Sequence, residues 1–362
     1  MSGSSYAAAG VDVEAGERAV ALMKQWIAQA QRPEVVGGFG GFAGLFDISA
    51  VKGYARPLLA TSTDGVGTKV AVAQAMQVHD TIGIDLVAMV IDDIVVCGAE
   101  PLYMTDYIAT GKVVPERIAQ IVAGIAKGCA LAGCALVGGE TAEHPGLLEP
   151  DEYDVAGAGT GVVDADALLG AHKVQPGDVL IAMRSSGLHS NGYSLARHVL
   201  LGPNGPGLAE VGEELLVPTQ IYAQDCLALA REFDVHAMSH ITGGGIAANI
   251  ARVLPEHLTA ELDRRTWTPQ PIFELIGRTG NVERAEMERT FNMGIGMVAL
   301  LPEAQANAAV NALHARGVDA WVCGSVRDRS SDDVSDAEAK GGVGGATIVR
   351  GDYAPSSSSS SS

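Results

Sequence analysis

The chain has 362 residues, of which 43 are Asp or Glu and 24 are Lys or Arg, so its formal net charge is −19. A surface this acidic repels nucleic acid and anionic lipid, which excludes both as expected partners. The length predicts two domains, and the 47% of hydrophobic residues predicts a well-buried globular protein.

The sequence favours a cytoplasmic location. The N-terminus lacks a basic stretch followed by an apolar segment, and no run of about 18 apolar residues free of charge occurs. The cysteines are scattered, odd in number and set in apolar runs without a CxxC pair, which predicts reduced and buried thiols: Cys97, Cys129, Cys134, Cys226 and Cys323.

In the first part of the chain, helical period alternates with short apolar runs that predict strands. Residues 13–31 predict an amphipathic helix with an apolar stripe at Val20, Met23 and Ile27. A glycine loop covers 37–44. The remaining predicted helices are 69–76, 80–97 and 114–132, and the predicted strands are 58–62, 102–109, 135–137 and 153–163.

A domain boundary is predicted between residues 165 and 177, where a turn precedes a new strand. The predicted domains are therefore 1–168 and 169–329. The second contains predicted helices at 193–200, 218–232, 246–253 and 303–316, and strands at 235–240, 293–301 and 320–326. Residues 330–362 are acidic, then glycine-rich, then a serine run, which predicts a mostly disordered tail with one added strand at 346–350.

The segment Asp64–Lys69 follows a predicted strand and has the composition of a phosphate-binding loop. Gly65 and Gly67 let backbone amides face an anion, Asp64 can hold a metal ion, and Lys69 adds a positive charge. The spacing differs from that of a Walker A loop. A plain Asp-Gly turn remains an open alternative.

Acidic residues recur where apolar residues are expected. Asp92 and Asp93 interrupt an apolar helix, Asp106 lies in a predicted strand, and Glu140 follows a predicted strand and two glycines. A buried carboxylate is costly unless it is paired or bound to metal, and Mg²⁺ prefers oxygen ligands. For Asp92 and Asp93, a helix cap or an arginine partner stays open.

Two loops in the second domain place polar residues before a helix. The first carries His189, Ser190 and Asn191, and the second is Thr242 followed by Gly243–Gly245. Backbone amides at such positions bind anions, and a histidine can move a proton near neutral pH. Ser190 or Asn191 as a simple helix N-cap is the alternative.

As a set, these motifs resemble the aminoimidazole ribonucleotide synthetases, also called phosphoribosylformylglycinamidine cyclo-ligases. The similarity runs from residue 6 to about residue 326. Its matching stretches are 6–16, 32–42, 63–69, 79–90, 98–101, 106–112, 136–143, 185–194, 237–245 and 280–296. Family members often carry Asn at the position of Asp92, so the resemblance favours Asp93 as the functional residue.

The resemblance implies a homodimer in which each N-terminal α/β domain gives strands to a central barrel, plus a C-terminal mixed α+β domain. It implies ATP-dependent ring closure of formylglycinamidine ribonucleotide to aminoimidazole ribonucleotide in purine biosynthesis, with ATP as co-substrate and Mg²⁺ as cofactor. A requirement for K⁺ stays open. The rivals are another enzyme of the same superfamily and a catalytically silent ATP-binding protein.

The resemblance also implies roles for individual residues. The implied metal ligands are Asp64, Asp93, Asp106 and Glu140. ATP is expected to contact these aspartates and Lys24, Gly37, Gly38, Gly40, Gly41, Gly65, Gly67, Thr68 and Lys69. The expected catalytic residues are His189, Asp64 and Lys69, with His189 as acid/base or as the group that stabilises an iminophosphate. The expected substrate-anion contacts are Ser190, Asn191, Gly243, Gly244 and Gly245.

Overall fold

A computed structural model describes residues 12–37 and 41–355, which form two compact units. The first unit contains residues 12–95, 99–168 and 215–224, and the second contains 96–98, 169–214 and 225–355. The main division lies between Leu168 and Leu169, inside the predicted boundary. Among the described residues, no helix is long and apolar enough to cross a membrane.

The first unit is an α/β domain. Its elements in chain order are α1 (Val13–Ile27), β1 (Val35–Val36), β2 (Leu45–Phe46), β3 (Pro57–Gly65), α2 (Val70–Met76), α3 (Ile82–Val95), β4 (Glu100–Thr110), α4 (Pro115–Ala132), β5 (Ala135–Glu143) and β6 (Tyr153–Asp164). The main sheet has the order β3-β6-β4-β5, in which only the β4–β5 pair is parallel. The strands β1 and β2 form a separate antiparallel pair.

Helix α3 covers one face of the four-stranded sheet because β6 carries glycine at alternate positions. A Cβ atom at Gly157, Gly159 or Gly161 would lie 2.6–2.8 Å from side-chain atoms of Met104, Val90 or Ile94. Such distances are too short for carbon atoms, so only glycine lets the helix pack this closely. The glycine-rich pattern of the predicted strand at 153–163 is thus explained by the close contact between the helix and the sheet.

Helices α4 and α1 complete this side of the unit. The α3–α4 crossing is close, since a Cβ at Gly83 would lie 2.1 Å from the backbone nitrogen of Ile125. Helix α4 ends at Gly133, which has φ +76°, as the predicted helix end requires. Helix α1 packs on α4 through Ala19, Met23 and Ile27.

The second unit is a mixed α+β domain. Its elements are β7 (Asp178–Arg184), α5 (Tyr193–Leu200), α6 (Leu208–Leu215), α7 (Ala223–Glu232), β8 (Ala237–His240), α8 (Gly245–Ala251), β9 (Leu258–Asp263), α9 (Pro271–Gly280), α10 (Arg284–Thr290), β10 (Ile295–Pro302), α11 (Ala306–Ala315), β11 (Ala320–Asp328) and β12 (Ala346–Arg350). The sheet order is β12-β9-β11-β7-β10-β8, with only β12 and β9 parallel.

The prediction of disorder after residue 329 is wrong for residues 330–355. The Asp333 carboxylate bonds Arg327 and accepts from Thr259 Oγ1 at 2.9 Å. The amide of Gly345 donates to the carbonyls of Ala251 and Leu254. Amino-acid composition alone does not predict these long-range contacts. The predicted strand at 346–350 is confirmed as β12.

The predicted helix at 218–232 begins only at Ala223. The backbone before Ala223 forms hydrogen bonds with side chains of α3 instead. Thr219 N donates to Asp85 Oδ1 at 2.7 Å, and Tyr222 N donates to Asp92 Oδ1 at 3.1 Å. These bonds explain why residues 215–224 belong to the first unit. The two buried carboxylates therefore bind a chain segment that lies more than 120 residues away in the sequence.

Candidate active site

Asp64 and Asp106 lie in one row across the main sheet. Asp64 on β3 faces Gly157 on β6, Gly157 faces Asp106 on β4, and Asp106 faces Gly139 on β5. Residues opposite one another in a sheet project to the same face, and strands lie about 4.8 Å apart. The two aspartates are therefore on the α3 face, separated by one glycine-bearing strand.

Asp106 borders a cavity of about 210 Å³ that is otherwise mostly apolar. Its other walls come from α1, α4 and β5, including Met23, Val122 and Leu136. Burial raises the pKa of Asp106 to about 7, because few groups there solvate a negative charge. A carboxyl group in this setting gains from a cation or a hydrogen-bond donor that enters the cavity.

Gly139 makes room for the Asp106 carboxylate. A Cβ at Gly139 would lie 2.1 Å from Asp106 Oδ1, whereas the nearest atom to a Cβ at Gly138 is Thr105 Cγ2 at 3.9 Å. Both glycines line the same cavity. Of the two, only Gly139 is required by the position of the carboxylate.

Glu140 lies inside β5 rather than after it, which corrects the sequence prediction. It is opposite Tyr107, so its Cα–Cβ bond points to the face away from Asp106. Because β5 is the edge strand, Glu140 still lines the cavity that Asp106 borders. Glu140 Oε1 accepts a hydrogen bond from Thr141 N at 3.1 Å.

The four predicted metal ligands do not converge on one point. Within residues 12–37 and 41–355, no group of three or more His, Cys, Asp or Glu side chains is arranged to hold a metal ion. The assignment of these four residues to Mg²⁺ and nucleotide phosphates stays a prediction. Mg²⁺ that is bound to nucleotide phosphates uses one or two carboxylates and completes its shell with phosphate and water.

Asp92 and Asp93 differ in their surroundings. Asp92 is fully buried, and both of its oxygens accept from Tyr222 N, at 3.1 and 3.2 Å. Asp93 is half-buried near the end of α3. Asp92 therefore has a structural role, and the functional role of Asp93 stays a prediction.

The predicted phosphate loop is part strand and part turn. Asp64 and Gly65 end β3, and Asp64 Oδ1 accepts from Gly65 N at 2.7 Å. Gly67 has φ +71° and starts a single 3₁₀ turn with Thr68 and Lys69. Gly67 and Thr68 are exposed, so this part of the loop can meet a ligand.

Lys69 is completely buried, which contradicts its predicted direct contact with ATP. Its Nζ donates to Asp85 Oδ1 at 2.8 Å and to the carbonyl of Val217 at 2.7 Å. Burial lowers the pKa of Lys69, and the Asp85 carboxylate opposes that shift. Asp85 was missed from sequence, although an aspartate in an apolar helix signals a buried pair.

Lys24 and part of the glycine loop lie together. Lys24 is exposed on α1 and lines a cavity of about 280 Å³ with Gly37 and Gly44. Gly37 has φ +91°, a conformation that favours glycine. Gly41 is exposed, and Gly38 and Gly40 lie outside the described residues.

The His189 loop is folded inward. His189 is 1% exposed, with φ +63°, and its Nε2 accepts from Ser186 N at 3.2 Å. This burial contradicts a histidine that is presented to substrate in this conformation. Ser190 and Asn191 are half-buried. The N-cap of α5 is Gly192, so the alternative of a Ser190 or Asn191 cap is wrong.

The loop Thr242–Gly245 lies beside the His189 loop, since a Cβ at Gly243 would be 3.4 Å from Asn191 Oδ1. Asn249, which sequence reasoning missed, shapes it: the Asn249 amide donates to the carbonyls of Thr242, Gly243 and Gly245 at 2.8–3.3 Å. The two predicted anion loops of the second unit are therefore neighbours.

Two family models match most of the chain. The model described as "AIR synthase related protein, N-terminal domain" matches residues 47–163, and that described as "AIR synthase related protein, C-terminal domain" matches residues 175–337. The solved structure of thiamine-monophosphate kinase from Stenotrophomonas maltophilia K279a is similar in fold, with a TM-score of 0.60 and 18% identity over 92% of this chain and 97% of that one.

Individual relatives are much closer in sequence. A phosphoribosylformylglycinamidine cyclo-ligase from Geobacillus sp. (strain WCH70) is 49% identical, over 89% of this chain and 95% of the relative. One from Desulfitobacterium hafniense (strain DSM 10664 / DCB-2) is 51% identical, over 91% and 98%. With both domain models matched and half of the residues shared along nearly the whole length, this chain belongs to the phosphoribosylformylglycinamidine cyclo-ligase family.

Proposed function

We propose that the protein closes the imidazole ring of aminoimidazole ribonucleotide from formylglycinamidine ribonucleotide, using ATP and releasing ADP and phosphate. The observation that carries this proposal is the identity of about half the residues with cyclo-ligases along almost their whole length. The row of Asp64 and Asp106 supports it, because phosphoryl transfer needs placed charges more than covalent protein chemistry. We assign this step of purine biosynthesis to the cytoplasm.

The chemistry has two steps that share one carbon atom. The formyl amide oxygen attacks the γ-phosphorus of ATP, the bond to the β-phosphate oxygen breaks, and ADP leaves. The amidine nitrogen then attacks the activated carbon, the carbon–oxygen bond breaks, and phosphate leaves as the ring closes. Activation is necessary because an amide oxygen is a poor leaving group, whereas phosphate is a good one.

In the first unit, Asp64, Asp93, Asp106 and Glu140 are the proposed carboxylates for the metal–nucleotide complex. Bound Mg²⁺ would neutralise phosphate charge, and K⁺ remains a second candidate ion. The exposed Gly67 and Thr68 and the half-buried Gly65 are the proposed loop contacts to phosphate oxygens, and Lys24 and the glycine loop at 37–41 are the proposed further contacts to the nucleotide. Lys69 acts through Asp85 by fixing the end of this loop, not by touching ATP.

In the second unit, the paired loops bind anionic groups of the substrate. Ser190, Asn191 and Gly243–Gly245 are the proposed contacts. His189 has a positioning role in this assignment, because its buried ring accepts from Ser186 and holds the loop that presents Ser190 and Asn191. Movement of this loop would be needed before the ring could exchange a proton with substrate.

The proposed homodimer uses the sheet face opposite α3. Leu59 and Tyr107 lie on that face and are 70% and 41% exposed. An apolar sheet face exposed in one chain is covered by a second copy in a shared barrel. We expect Leu59→Glu to give a monomer in light scattering. Leu131→Glu on α4, which replaces a leucine that is 53% exposed, is the matched control and should keep the dimer.

The direct test supplies purified protein with Mg²⁺, ATP and formylglycinamidine ribonucleotide and measures aminoimidazole ribonucleotide and ADP. One ADP should form for each ring closed. A protein that makes no product and shows no substrate-stimulated ADP release would contradict the proposal. Thiamine phosphate in place of the ribonucleotide tests the rival activity of another superfamily member.

A further inference from the structure

A turn at residues 291–294, between α10 and β10, lies against the His189 loop at residues 185–191. Asn292 in this turn is 2% exposed. Its Nδ2 donates to the carbonyl of Gly187 at 2.9 Å, and its Oδ1 lies 3.2 Å from the Ser185 hydroxyl oxygen. The Asn292 side chain therefore bonds the first part of a loop that lies about a hundred residues earlier in the sequence.

The side chain of Asn292 is held in place by its own turn. Asn292 Oδ1 accepts from Gly294 N at 2.8 Å, which is the hydrogen bond of an Asx turn. Met293 and Gly294 have φ of +47° and +97°, so the chain reverses directly after the asparagine. Trp267 Nε1 donates to the Met293 carbonyl at 3.0 Å. The orientation of Asn292 is therefore set by groups outside the His189 loop.

Ser185 connects this turn to the start of the His189 loop. It is 4% exposed, and its hydroxyl oxygen lies 2.9 Å from the Gly187 carbonyl oxygen. Its backbone nitrogen donates to the Gly294 carbonyl at 3.0 Å, and its own carbonyl accepts from Gln270 Nε2 at 2.6 Å. Ser185 and Asn292 thus approach the same carbonyl, and both are fixed from outside the loop.

The same turn supports the far end of the loop. Phe291 is fully buried, and a Cβ atom at Gly192 would overlap its ring. Gly192 is the N-cap of α5, with φ +76°, and it directly follows Asn191. Residues 291–294 therefore meet the loop at its beginning and again where the chain enters α5.

The position of the Gly187 carbonyl affects His189. Ser186 N donates to His189 Nε2 at 3.2 Å, so the backbone turns around Gly187 to bring these two residues together. Gly187 has φ +151°, at the edge of the region that favours glycine. A displaced Gly187 carbonyl would move His189 and, with it, the residues that follow.

We propose that Asn292 is a positioning residue that arranges the His189 loop for the anionic groups of the ribonucleotide. This inference rests on the proposed function, in which Ser190 and Asn191 contact the substrate. Asn292 acts through Gly187 and takes no part in breaking or forming a substrate bond. A loop that is arranged before the substrate binds loses less conformational entropy in the complex, so Asn292 raises the affinity for the ribonucleotide.

The test uses Asn292→Asp, which keeps the size of the side chain and an acceptor for Gly294 N. The variant places an oxygen opposite the Gly187 carbonyl where the wild type has the Nδ2 donor. We expect the KM for formylglycinamidine ribonucleotide to rise about tenfold, the equivalent of one lost hydrogen bond. The kcat and the KM for ATP should change less than about threefold, because saturating substrate orders the loop again. Steady-state assays that vary each substrate separately measure these values.

Thr259→Val is the matched control. Thr259 is fully buried on β9 in the same unit, and its Oγ1 donates to Asp333, so the variant also loses a buried hydrogen bond. It should lower the free energy of unfolding and change neither KM. A wild-type KM for the ribonucleotide in a folded Asn292→Asp protein would overturn the inference. Equal rises in both KM values would also overturn it, since they indicate a merely structural role.

A milder variant covers the case in which Asn292→Asp does not fold. Ser185→Ala removes only the hydroxyl beside the Gly187 carbonyl and should raise the KM for the ribonucleotide about threefold. An unchanged KM in Ser185→Ala would then overturn the inference.

Hydrogen exchange of residues 185–192, measured by mass spectrometry, needs no turnover. If the wild type makes no product, the proposed function fails, and the exchange rates alone test the positioning role. Faster exchange in this segment in Asn292→Asp, but not in Thr259→Val, supports that role. Equal rates in Asn292→Asp and the wild type overturn it.

Discussion

The two ends of the Asp64–Lys69 segment lie five residues apart but have different surroundings. Asp64 is half-buried in a row with Asp106, on a sheet face where glycines leave space. Lys69 is fully buried and bonds Asp85 and the Val217 carbonyl. A continuous motif thus combines one end suited to ligand chemistry with another that fixes a distant chain segment.

The difference follows from the cost of burying charge. A buried ammonium loses several kcal/mol of hydration unless a carboxylate and further acceptors surround it. Asp85 Oδ1 meets that need for Lys69 and also accepts from Thr219 N and Oγ1, both at 2.7 Å. Asp64 keeps partial access to solvent, so its charge can be used by a ligand.

Lys69→Met should produce the largest effect, because it leaves the Asp85 carboxylate buried without its cation. We expect a loss of about 3–5 kcal/mol in the free energy of unfolding, measured by urea denaturation with circular dichroism. Activity at low temperature should fall less than stability, since Lys69 does not face the ligand.

The double variant Lys69→Met/Asp85→Leu removes both charges and should recover much of that stability. A single variant as stable as the wild type would show that the pair is not buried in solution. Lys69 would then not differ from Asp64 in being a buried structural residue.

Asp64→Asn should have the opposite profile. It keeps the side-chain size and an acceptor for Gly65 N but removes the charge proposed for the metal–nucleotide complex. We expect kcat to fall about 100-fold, as is typical when one electrostatic contact is removed from a phosphoryl-transfer site, while stability changes by about 1 kcal/mol or less. Full activity in this variant would show that Asp64 is not part of the active site. The Asp64–Lys69 segment would then be only a structural turn.

Local pattern was enough to predict much of the fold. Helical period and a terminal glycine predicted α4 and its end at Gly133, and the glycine-rich run at 153–163 predicted β6. The aspartate in the apolar run at 102–109 marked Asp106 as unusual, and the structure places it on a cavity. These features depend on residues close together in sequence.

Long-range pairing could not be read from local pattern. Residues 218–222 belong to the predicted helix at 218–232, but Thr219 N donates to Asp85 and Tyr222 N donates to Asp92 instead. The acidic segment after residue 329 has few apolar residues, yet Arg327 binds Asp333 and glycines allow close packing on α8. In the site, Asp85 was missed because its partners are distant in sequence. Asn249 was missed because its partners are backbone carbonyl groups, which the sequence pattern does not reveal.

Asp106 extends the comparison to a carboxyl group that is uncharged over part of the pH range. With its pKa raised to about 7, the folded protein holds a proton that the unfolded chain loses near pH 3.8. The folded state binds more protons between these values, so this group makes stability fall as pH rises from about 4 to 7. Asp106→Asn removes that dependence.

As pH rises from 4 to 7, the free energy of unfolding of Asp106→Asn should increase by about 2 kcal/mol relative to that of the wild type. This is roughly half of the full linkage value, because water reaches this half-buried group. Urea unfolding at a series of pH values measures the difference. Parallel curves for the two proteins would mean that Asp106 has an ordinary pKa and that its cavity is wet.

The smallest expected effect separates Gly139 from Gly138, which are adjacent on β5. In Gly139→Ala the new methyl would lie 2.1 Å from Asp106 Oδ1, so the carboxylate must move, and we expect kcat to fall about tenfold with a stability loss of about 1–2 kcal/mol. In Gly138→Ala the nearest atom is 3.9 Å away, and activity should stay near the wild-type value. Equal activity in the two variants would mean that the position of the Asp106 carboxylate does not matter for turnover, and the functional end of the comparison would then rest on Asp64 alone.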